Sequence, residues 1–252
     1  MGVNNWWCDF DAEFVRKTHD DWRAIRARGA ALATWWPFIT YLFQTYTLPS
    51  IERQTYKDFD KWVFIAPEDE ARSACFRRVL PSDWHVSFDS GADFWPRYQQ
   101  CDLLTVQNID SDDMFHPLAI ETLRCAKIDQ PGALAYFEDG YYFDCVTEKL
   151  AEYNVKGRDV GPGIYTAETY TREAMQSREA FREYRASWRM INHWDAKSAR
   201  LPIPLPGRCF VLIIHERNAV SRWDNPNVQK RVGAEITGEE KVRVLREFMP
   251  WY

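Results

Sequence analysis

Residues 101–118, CDLLTVQNIDSDDMFHPL, contain the pattern on which the fold prediction depends. An apolar run from Leu103 to Val106 predicts a buried strand, and three carboxylates follow it: Asp110, Asp112 and Asp113. Acidic residues that directly follow a buried strand lie at its exposed end, and open α/β sheets bind their ligands in the crevice at that end. This stretch therefore predicts one strand of a sheet. It also predicts that a ligand binds at the end of the sheet where this strand stops.

The spacing within the acidic run favours a divalent cation as part of that ligand. In an extended backbone Asp110 and Asp112 point the same way, so their oxygens can converge on Mg²⁺ or Mn²⁺ while substrate phosphates complete the coordination. This is the arrangement of a DxD motif. Because Asp-rich turns are common, a solvated turn in which Asp110 caps the following segment is the alternative.

Strand and helix patterns alternate along the chain around this stretch. A helix is predicted at 34–54, and further segments follow: strand 61–66, helix 69–79, strand 84–88, helix 93–100, strand 102–109 and helix 117–127. Later segments predict strands at 133–137, 141–146 and 209–215 and helices near 171–190 and 238–248. Such alternation is typical of βαβ units. We therefore expect an α/β fold with a mixed, mostly parallel central sheet flanked by helices.

Length, charge and cysteine usage limit the class of protein. The 252 residues suit one domain covering 1–252, in which residues 1–33 form a helical N-terminal extension. The formal net charge is −5 and no stripe of Lys and Arg is present, so nucleic acid is not expected as a partner. Six cysteines occur without metal-ligand spacing, which favours reduced thiols and a cytoplasmic location. The N-terminal residues lack the basic start and apolar core of a signal peptide.

The longest uncharged stretch, residues 29–51, is a poor membrane span because prolines and polar residues interrupt it. An amphipathic or buried helix is the better prediction. Peripheral contact with a membrane surface through Trp35, Trp36 and Phe38 stays open as an alternative.

Further motifs place the acidic run in a wider pattern, which resembles a rhamnosyltransferase family of GT-A-type glycosyltransferases. In that family a helix ends in an lPS…Q segment followed by dF, a strand precedes an xDxDD motif, a Gy..D segment follows, and a late strand ends in HxxN. The same order occurs here: Leu48-Pro49-Ser50 with Gln54, Asp58-Phe59, Asp110 to Asp113, Gly140-Tyr141 with Asp144, and His215 with Asn218. Each piece alone is weak, and the joint match is specific.

The resemblance implies a GT-A fold and a metal-dependent hexosyltransferase. Its donor would be a nucleoside-diphosphate sugar, with rhamnose suggested by the family name, and its acceptor a glycan or glycolipid. Asp112 would ligate Mn²⁺ or Mg²⁺ directly, Asp110 would bind the metal or the donor ribose, and Asp113 would orient the site. His215 would supply another metal ligand from a neighbouring strand end, because neutral imidazole also suits Mn²⁺.

Other residues are candidates for contacts to the donor. Asn218 would donate hydrogen bonds to phosphate or sugar, and the charge of Arg217 matches a diphosphate. Glu68 and Asp69 follow the strand at 61–66, where related enzymes contact the base or ribose, although acidic loops are often only solvated.

An inverting transferase also needs a general base for the acceptor hydroxyl. Asp195 is the leading candidate because it lies between the helix near 171–190 and the strand at 209–215, and His193 could orient it or act itself. Asp144 and Asp139 are rivals, and a helix-capping role for Asp195 is the alternative.

Two other classes of protein stay open. A nucleotidyltransferase-like enzyme would also use paired Asp residues with Mg²⁺, but it would normally carry a phosphate loop rich in Gly, Arg and Lys near the N-terminus, and the sequence shows none there. A carbohydrate-binding protein on a degenerate GT-A fold is the second, because the apolar strand that normally opens a GT-A fold is represented only by Trp6 to Phe10.

Overall fold

The structure, a computed structural model, describes residues 35–65, 67–88, 94–126, 128–154, 166–188, 199–215 and 229–252. The predicted N-terminal extension at 1–33 lies outside the described residues. Strands within them are numbered in chain order: β1 (Lys61–Phe64), β2 (Trp84–Ser87), β3 (Leu103–Gln107), β4 (Met114–Phe115), β5 (Ala133–Asp144), β6 (Lys149–Asn154), β7 (Thr166–Thr171), β8 (Leu201–Ile214) and β9 (Val232–Ile236).

Helices are numbered in the same way: α1 (Trp35–Leu42), α2 (Leu48–Glu52), α3 (Ala74–Arg77), α4 (Phe94–Tyr98), α5 (Ala119–Cys125), α6 (Arg178–Ser187) and α7 (Gly238–Phe248). A π-helical segment, Phe43–Thr47, joins α1 to α2, and single 3-10 turns occur at Pro67–Asp69 and Glu173–Met175. Pro49 has no N–H to donate to the preceding turn, and the helix widens to π geometry just before it.

The pairing of the strands corrects the predicted fold. Within the described residues, antiparallel pairings join β3 to β7, β7 to β5, β5 to β6, β6 to β9 and β4 to β8, while β5 and β8 pair in parallel. These strands form a seven-stranded sheet that is mostly antiparallel. A second, small sheet contains the parallel pair β1 and β2. The prediction of a mostly parallel, GT-A-type sheet was therefore wrong.

The error arises from strands that carry no continuous apolar run. β6 (KLAEYN), β7 (TAETYT) and β9 (VGAEI) mix polar and small residues, so they give no clear strand signal. β7 lies between β3 and β5 and runs antiparallel to both. As a result β3 and β5 point in the same direction without being neighbours, although the alternation of elements had suggested adjacent parallel strands.

β8 is also longer than its sequence predicts. It begins at Leu201 and runs through Pro202, Pro204 and Pro206, residues that normally argue against a strand. These prolines alternate along the strand, so their missing N–H groups lie on one edge and the pairing with β5 on the other edge survives.

Helices cover one face of the long β5–β8 pair. Tyr46 of the π-helical segment packs against Phe143, and Phe248 of α7 packs against Tyr141, with ring centroids 6.5 and 5.9 Å apart. Tyr141 and Phe143 are two residues apart in β5 and therefore share a face of the sheet. On the opposite face Gly140 makes room for a ring, because a Cβ there would lie 2.4 Å from Phe210.

A second aromatic cluster covers the other end of the sheet. It packs α4, α6 and β7 together and contains Phe94, Trp95, Tyr136, Tyr170 and Phe181. In the part of the chain that is described, no helix has the length and apolar character needed to cross a membrane. Of the aromatic residues considered for membrane contact, Trp36 is buried against Phe76 and Phe38 packs edge-on against His215.

Candidate metal centre

The C-terminal ends of β5 and β8 lie side by side. Asp144, the last residue of β5, pairs with Ile214 at the end of β8, and the Cys145 N–H donates to the Ile214 carbonyl at 3.0 Å. Because the two strands are parallel, the residue that follows each of them emerges at the same edge of the sheet. His215 therefore lies beside the turn that begins at Asp144.

The acidic loop between β3 and β4 reaches the same edge because β4 pairs with β8. Asp113, immediately before β4, is buried, and its Oδ1 accepts a hydrogen bond from the Ile213 N–H at 2.8 Å. The Asp113 carboxylate thus accepts a hydrogen bond from a β8 amide just before β4 begins. This bond fixes the end of the acidic loop two residues from His215.

Asp112 and His215 meet although they lie 103 residues apart in the chain. The Nε2 atom of His215 is 2.9 Å from Oδ2 of Asp112. His215 is only 4% exposed, and the ring of Phe38 packs edge-on against the imidazole with centroids 5.1 Å apart. Phe38 therefore limits the orientation of the imidazole that faces Asp112.

Asp110, Asp112 and Asp113 each present an oxygen, and these oxygens lie within 4.8 Å of one another. Opposite oxygen ligands of Mg²⁺ are about 4.2 Å apart, since each metal–oxygen bond is about 2.1 Å. Small side-chain movements would therefore bring these oxygens to coordination distance. Carboxylates and a neutral imidazole form a donor set that fits Mn²⁺, and carboxylates with substrate phosphates fit Mg²⁺.

The crowding of carboxylates changes the acidity of Asp110. Burial and, after it, the nearby charge of Asp112 raise the pKa of Asp110 to about 7. Both causes disfavour the ionised form in the absence of a cation. A divalent cation among these groups would attract the Asp110 carboxylate and so oppose the effect of the Asp112 charge on its pKa.

Cys145 adds a thiol to the same edge, but its acidity argues against a nucleophilic role. Burial raises the pKa of the Cys145 thiol to about 11, and the charge of Asp144 acts in the same direction. The Tyr46 hydroxyl, whose pKa is raised by burial, lies in hydrogen-bond contact with this thiol. The thiol is therefore protonated at neutral pH, and the thiolate is the form that reacts as a nucleophile.

Asp144, one of the predicted candidates for the base, is engaged by the turn between β5 and β6. Its Oδ1 accepts hydrogen bonds from the backbone N–H groups of Val146 and Thr147 at 2.9 and 3.1 Å, and its Oδ2 accepts one from the Thr147 hydroxyl at 2.7 Å. These three bonds hold the carboxylate in the turn. They favour a structural role for Asp144.

The predicted donor-binding acids after β1 lie in the 3-10 turn that begins at Pro67. Asp69 Oδ1 is 3.8 Å from Nη1 of Arg72, three residues further along the chain, so the two side chains form a local ion pair. The cluster of close carboxylates found among the described residues does not include Asp69, and the side chain of Glu68 lies outside the description. Contacts of both residues to a donor therefore stay a prediction.

Four more of the predicted site residues lie outside the described residues: His193, Asp195, Arg217 and Asn218. In the sequence, His193 and Asp195 lie between α6 and β8, and Arg217 and Asn218 lie two and three residues after His215. Their roles as base and as donor ligands stay predictions.

The LPS…Q motif has a structural role that sequence reasoning missed. Ser50 Oγ accepts a hydrogen bond from the Phe115 N–H at 3.2 Å. Gln54 is fully buried; its Nε2 donates to the His116 carbonyl at 2.9 Å, and its Oε1 accepts from the Ile120 N–H at 3.0 Å. Ser50 in α2 and Gln54 just after it thus hold β4 and the start of α5, directly after the acidic loop. The motif gave the position of these residues, but no property of the sequence revealed their partners.

Comparison with known proteins gives no further assignment. No family model and no curated protein matches the chain.

Proposed function

We propose that the chain is a divalent-metal-dependent glycosyltransferase that moves a sugar from a nucleoside-diphosphate donor to a hydroxyl group of a glycan or glycolipid. Rhamnose is the sugar suggested by the motif resemblance. The observation that carries this proposal is the meeting of Asp110, Asp112 and His215 at one edge of the sheet, because two of the motifs that resemble the rhamnosyltransferase family come together there. A mostly antiparallel sheet is compatible with the proposal, since function depends on the site and not on the fold.

Each residue of the cluster has a role in this proposal. Asp112 and Asp110 hold the cation, and His215 either completes the coordination or fixes the Asp112 carboxylate through the 2.9 Å contact. Asp113 is tied to β8 and keeps the loop in place. A bound Mn²⁺ or Mg²⁺ would offset the negative charge that develops on the leaving diphosphate.

The general base in this proposal is Asp195, with His193 as the group that orients it. Asp144 is the weaker candidate, because its two oxygens already accept three hydrogen bonds from the β5–β6 turn. We expect Asp195→Asn to reduce acceptor transfer on the order of 10²- to 10⁴-fold while donor binding survives. Transfer rates and nucleoside-diphosphate affinities of Asp195→Asn and Asp144→Asn measure the difference. Full transfer activity in Asp195→Asn would assign the base elsewhere.

The decisive experiment is donor hydrolysis with a panel of nucleoside-diphosphate sugars that includes rhamnose donors. We expect slow release of free nucleoside diphosphate in Mn²⁺ or Mg²⁺, no release in EDTA, and no release by Asp112→Asn in either condition. Binding of a donor without hydrolysis, even with an acceptor present, would instead indicate a carbohydrate-binding protein. Release of pyrophosphate from a nucleoside triphosphate and a sugar phosphate would indicate a nucleotidyltransferase.

A further inference from the structure

Exposed apolar side chains lie around the end of the sheet that carries the acidic cluster. Three large hydrophobic residues there are more than half exposed: Tyr41 at 59%, Val146 at 64% and Trp251 at 52%. Among the described residues, only Leu103 and Leu118 are further large hydrophobics with exposed side chains. We call Tyr41, Val146 and Trp251 the apolar rim.

Tyr41 is connected to the acidic cluster through helix α1. Phe38 and Tyr41 are three residues apart in α1, so their side chains are neighbours on one face of the helix. The ring of Phe38 packs against the imidazole of His215 with centroids 5.1 Å apart, and Nε2 of His215 is 2.9 Å from Oδ2 of Asp112. Tyr41 therefore lies about one helical turn from a residue that contacts the cluster.

Val146 lies in the turn that follows β5. Its N–H donates to Oδ1 of Asp144 at 2.9 Å. The N–H of the preceding residue, Cys145, donates at 3.0 Å to the carbonyl of Ile214, which directly precedes His215. The exposed Val146 side chain thus belongs to a turn that lies beside His215.

Trp251 joins the rim through the residue that follows it. The ring of Tyr252 packs edge-on against Phe143 with centroids 6.4 Å apart, and Tyr46 packs against the same Phe143 ring at 6.5 Å. Phe143 directly precedes the last residue of β5. The segments that carry Tyr41 and Trp251 therefore meet at the end of β5, next to the turn that carries Val146.

The charges around the rim are few and balanced. Residues 29–51, which include α1 and most of α2, contain no charged side chain. Nζ of Lys241 is 6.0 Å from the centroid of the Tyr252 ring, and it is 4.0 Å from Oε2 of Glu148. A surface with exposed aromatic side chains and paired charges matches an apolar partner without net charge.

We propose that the apolar rim binds the surface of a lipid bilayer with zwitterionic head groups, and that the sugar acceptor is a glycolipid in that bilayer. This inference rests on the proposed function, because it selects a lipid-linked acceptor over a water-soluble glycan. Tyr and Trp suit such a surface, since their rings enter the apolar layer while the hydroxyl or indole N–H reaches the head groups. A rim bound to the bilayer brings the acidic cluster next to the head groups, where the sugar of a glycolipid lies.

Co-sedimentation with phosphatidylcholine vesicles, in EDTA and without a donor, tests the inference. We expect wild type to bind, and we expect Tyr41→Ser, Val146→Ser and Trp251→Ser each to weaken binding roughly 3- to 10-fold, because each loses buried apolar area. The triple variant should lose binding. Added phosphatidylglycerol should not strengthen binding, since the formal net charge of the chain is −5.

Leu103→Ser is the matched control. Leu103 is 37% exposed and begins β3, so it lies at the end of that strand away from the acidic loop. This variant should bind vesicles as wild type does. Thermal melting and donor hydrolysis of the triple variant should match wild type, while transfer to a glycolipid in vesicles should decrease.

The outcomes separate this inference from the proposed function. No vesicle binding by wild type, or equal binding by wild type and all three single variants, would overturn the inference and leave donor hydrolysis untouched. An equal loss in Leu103→Ser would also overturn it, because apolar adhesion would then not depend on the rim. Dimerisation that the triple variant abolishes, without vesicle binding, would assign the rim to a second copy of the chain. Absence of donor hydrolysis in wild type would contradict the proposed function whether or not vesicles bind.

Discussion

Carboxylates that are at least half-buried occur in two regions of this molecule, and their neighbours differ. In β7, Oε1 of Glu168 is 2.6 Å from Nη2 of Arg185, and the Tyr170 hydroxyl donates to the other oxygen. At the sheet edge, Asp110 and Asp112 instead approach each other. The first carboxylate has a cationic partner within the fold, whereas the second group brings like charges together.

The pKa values of the carboxyl groups in the two regions respond differently to their neighbours. Burial raises the pKa of both Glu168 and Asp110. The neighbouring charge has opposite effects in the two regions: Arg185 lowers the pKa of Glu168, whereas Asp112 raises the pKa of Asp110. A buried carboxylate is stable when it is paired, so the β7 pair is complete as a structural element. At the sheet edge, a divalent cation between Asp110 and Asp112 would replace their repulsion with attraction.

The largest expected effect is the loss of turnover in Asp112→Asn. This change removes one anionic ligand and leaves the size of the side chain nearly the same, so metal binding should fail while the fold persists. Relief of the repulsion on Asp110 should also keep the metal-free protein at least as stable as wild type. Donor hydrolysis, Mn²⁺ calorimetry and thermal melting measure the three quantities.

Asp102→Asn is the matched control for Asp112→Asn, because the Asp102 side chain is 91% exposed and belongs to a surface ion pair. Its Mn²⁺ affinity and turnover should equal those of wild type. Equal Mn²⁺ affinity in Asp112→Asn and wild type would contradict the role of the acidic cluster as a metal site, and with it the contrast with the paired Glu168.

A second prediction concerns the β7 pair. Arg185→Met leaves Glu168 buried without its cation, so we expect the free energy of unfolding to fall by about 3–5 kcal/mol. Adding Glu168→Gln should recover part of that loss. Arg172→Met is the control, since Arg172 and Asp102 are also 2.6 Å apart but exposed, and that pair is worth about 1 kcal/mol or less. Denaturant titrations measure all four proteins, and unchanged Mn²⁺ affinity in Arg185→Met would confirm that the pair is purely structural.

The third prediction is a pH dependence that only the sheet edge should show. The pKa of Asp110 is raised in the folded state to about 7, from an ordinary value of about 4. Between these values the folded state binds more protons than the unfolded state. In EDTA, the free energy of unfolding should therefore decrease as pH rises from about 4 to about 7. Above that range the titration of Asp110 should cause no further decrease.

Saturating Mn²⁺ should remove this decrease, because the cation favours the ionised carboxylate, and metal binding near pH 7 should release protons. Asp110→Asn is expected to have the flatter profile in EDTA. Denaturant titrations at several pH values provide the test, and identical profiles for Asp110→Asn and wild type would contradict the raised pKa of Asp110.

The sequence predicted those parts of the molecule whose side chains carry a strong local signal. The regular apolar spacing of α7 gave its bounds, 238–248, and the apolar ends of β5 and β8 were visible as runs. An acidic loop after a strand and a His at the end of another strand were visible as well. Their meeting depends on pairing between distant strands, and the structure shows it through the 2.9 Å contact of Asp112 with His215.

Strand direction could not be predicted because it depends on partners and not on local pattern. β7 contains buried Thr and Glu side chains that resemble a surface segment in the sequence, yet it separates β3 from β5. The burial of Glu168 depends on partners that the local pattern does not reveal, chiefly Arg185, which belongs to a later helix. The roles of Ser50 and Gln54 were hidden for the same reason, since their partners lie about 65 residues away.

The smallest expected effect tests whether the scaffold and the site can be separated. Ser50→Ala removes the acceptor for the buried Phe115 N–H, so unfolding should become easier by about 1–3 kcal/mol. β4 would then be held less firmly, and because Asp113 directly precedes it, Mn²⁺ affinity should decrease several-fold. Ser187→Ala, which removes an exposed hydroxyl bonded to the Tyr184 carbonyl within α6, is the control and should change neither quantity. A loss of stability without any change in Mn²⁺ affinity would show that the Ser50–Phe115 hydrogen bond supports the fold alone. The acidic loop would then be held in place by the hydrogen bond between Asp113 and Ile213.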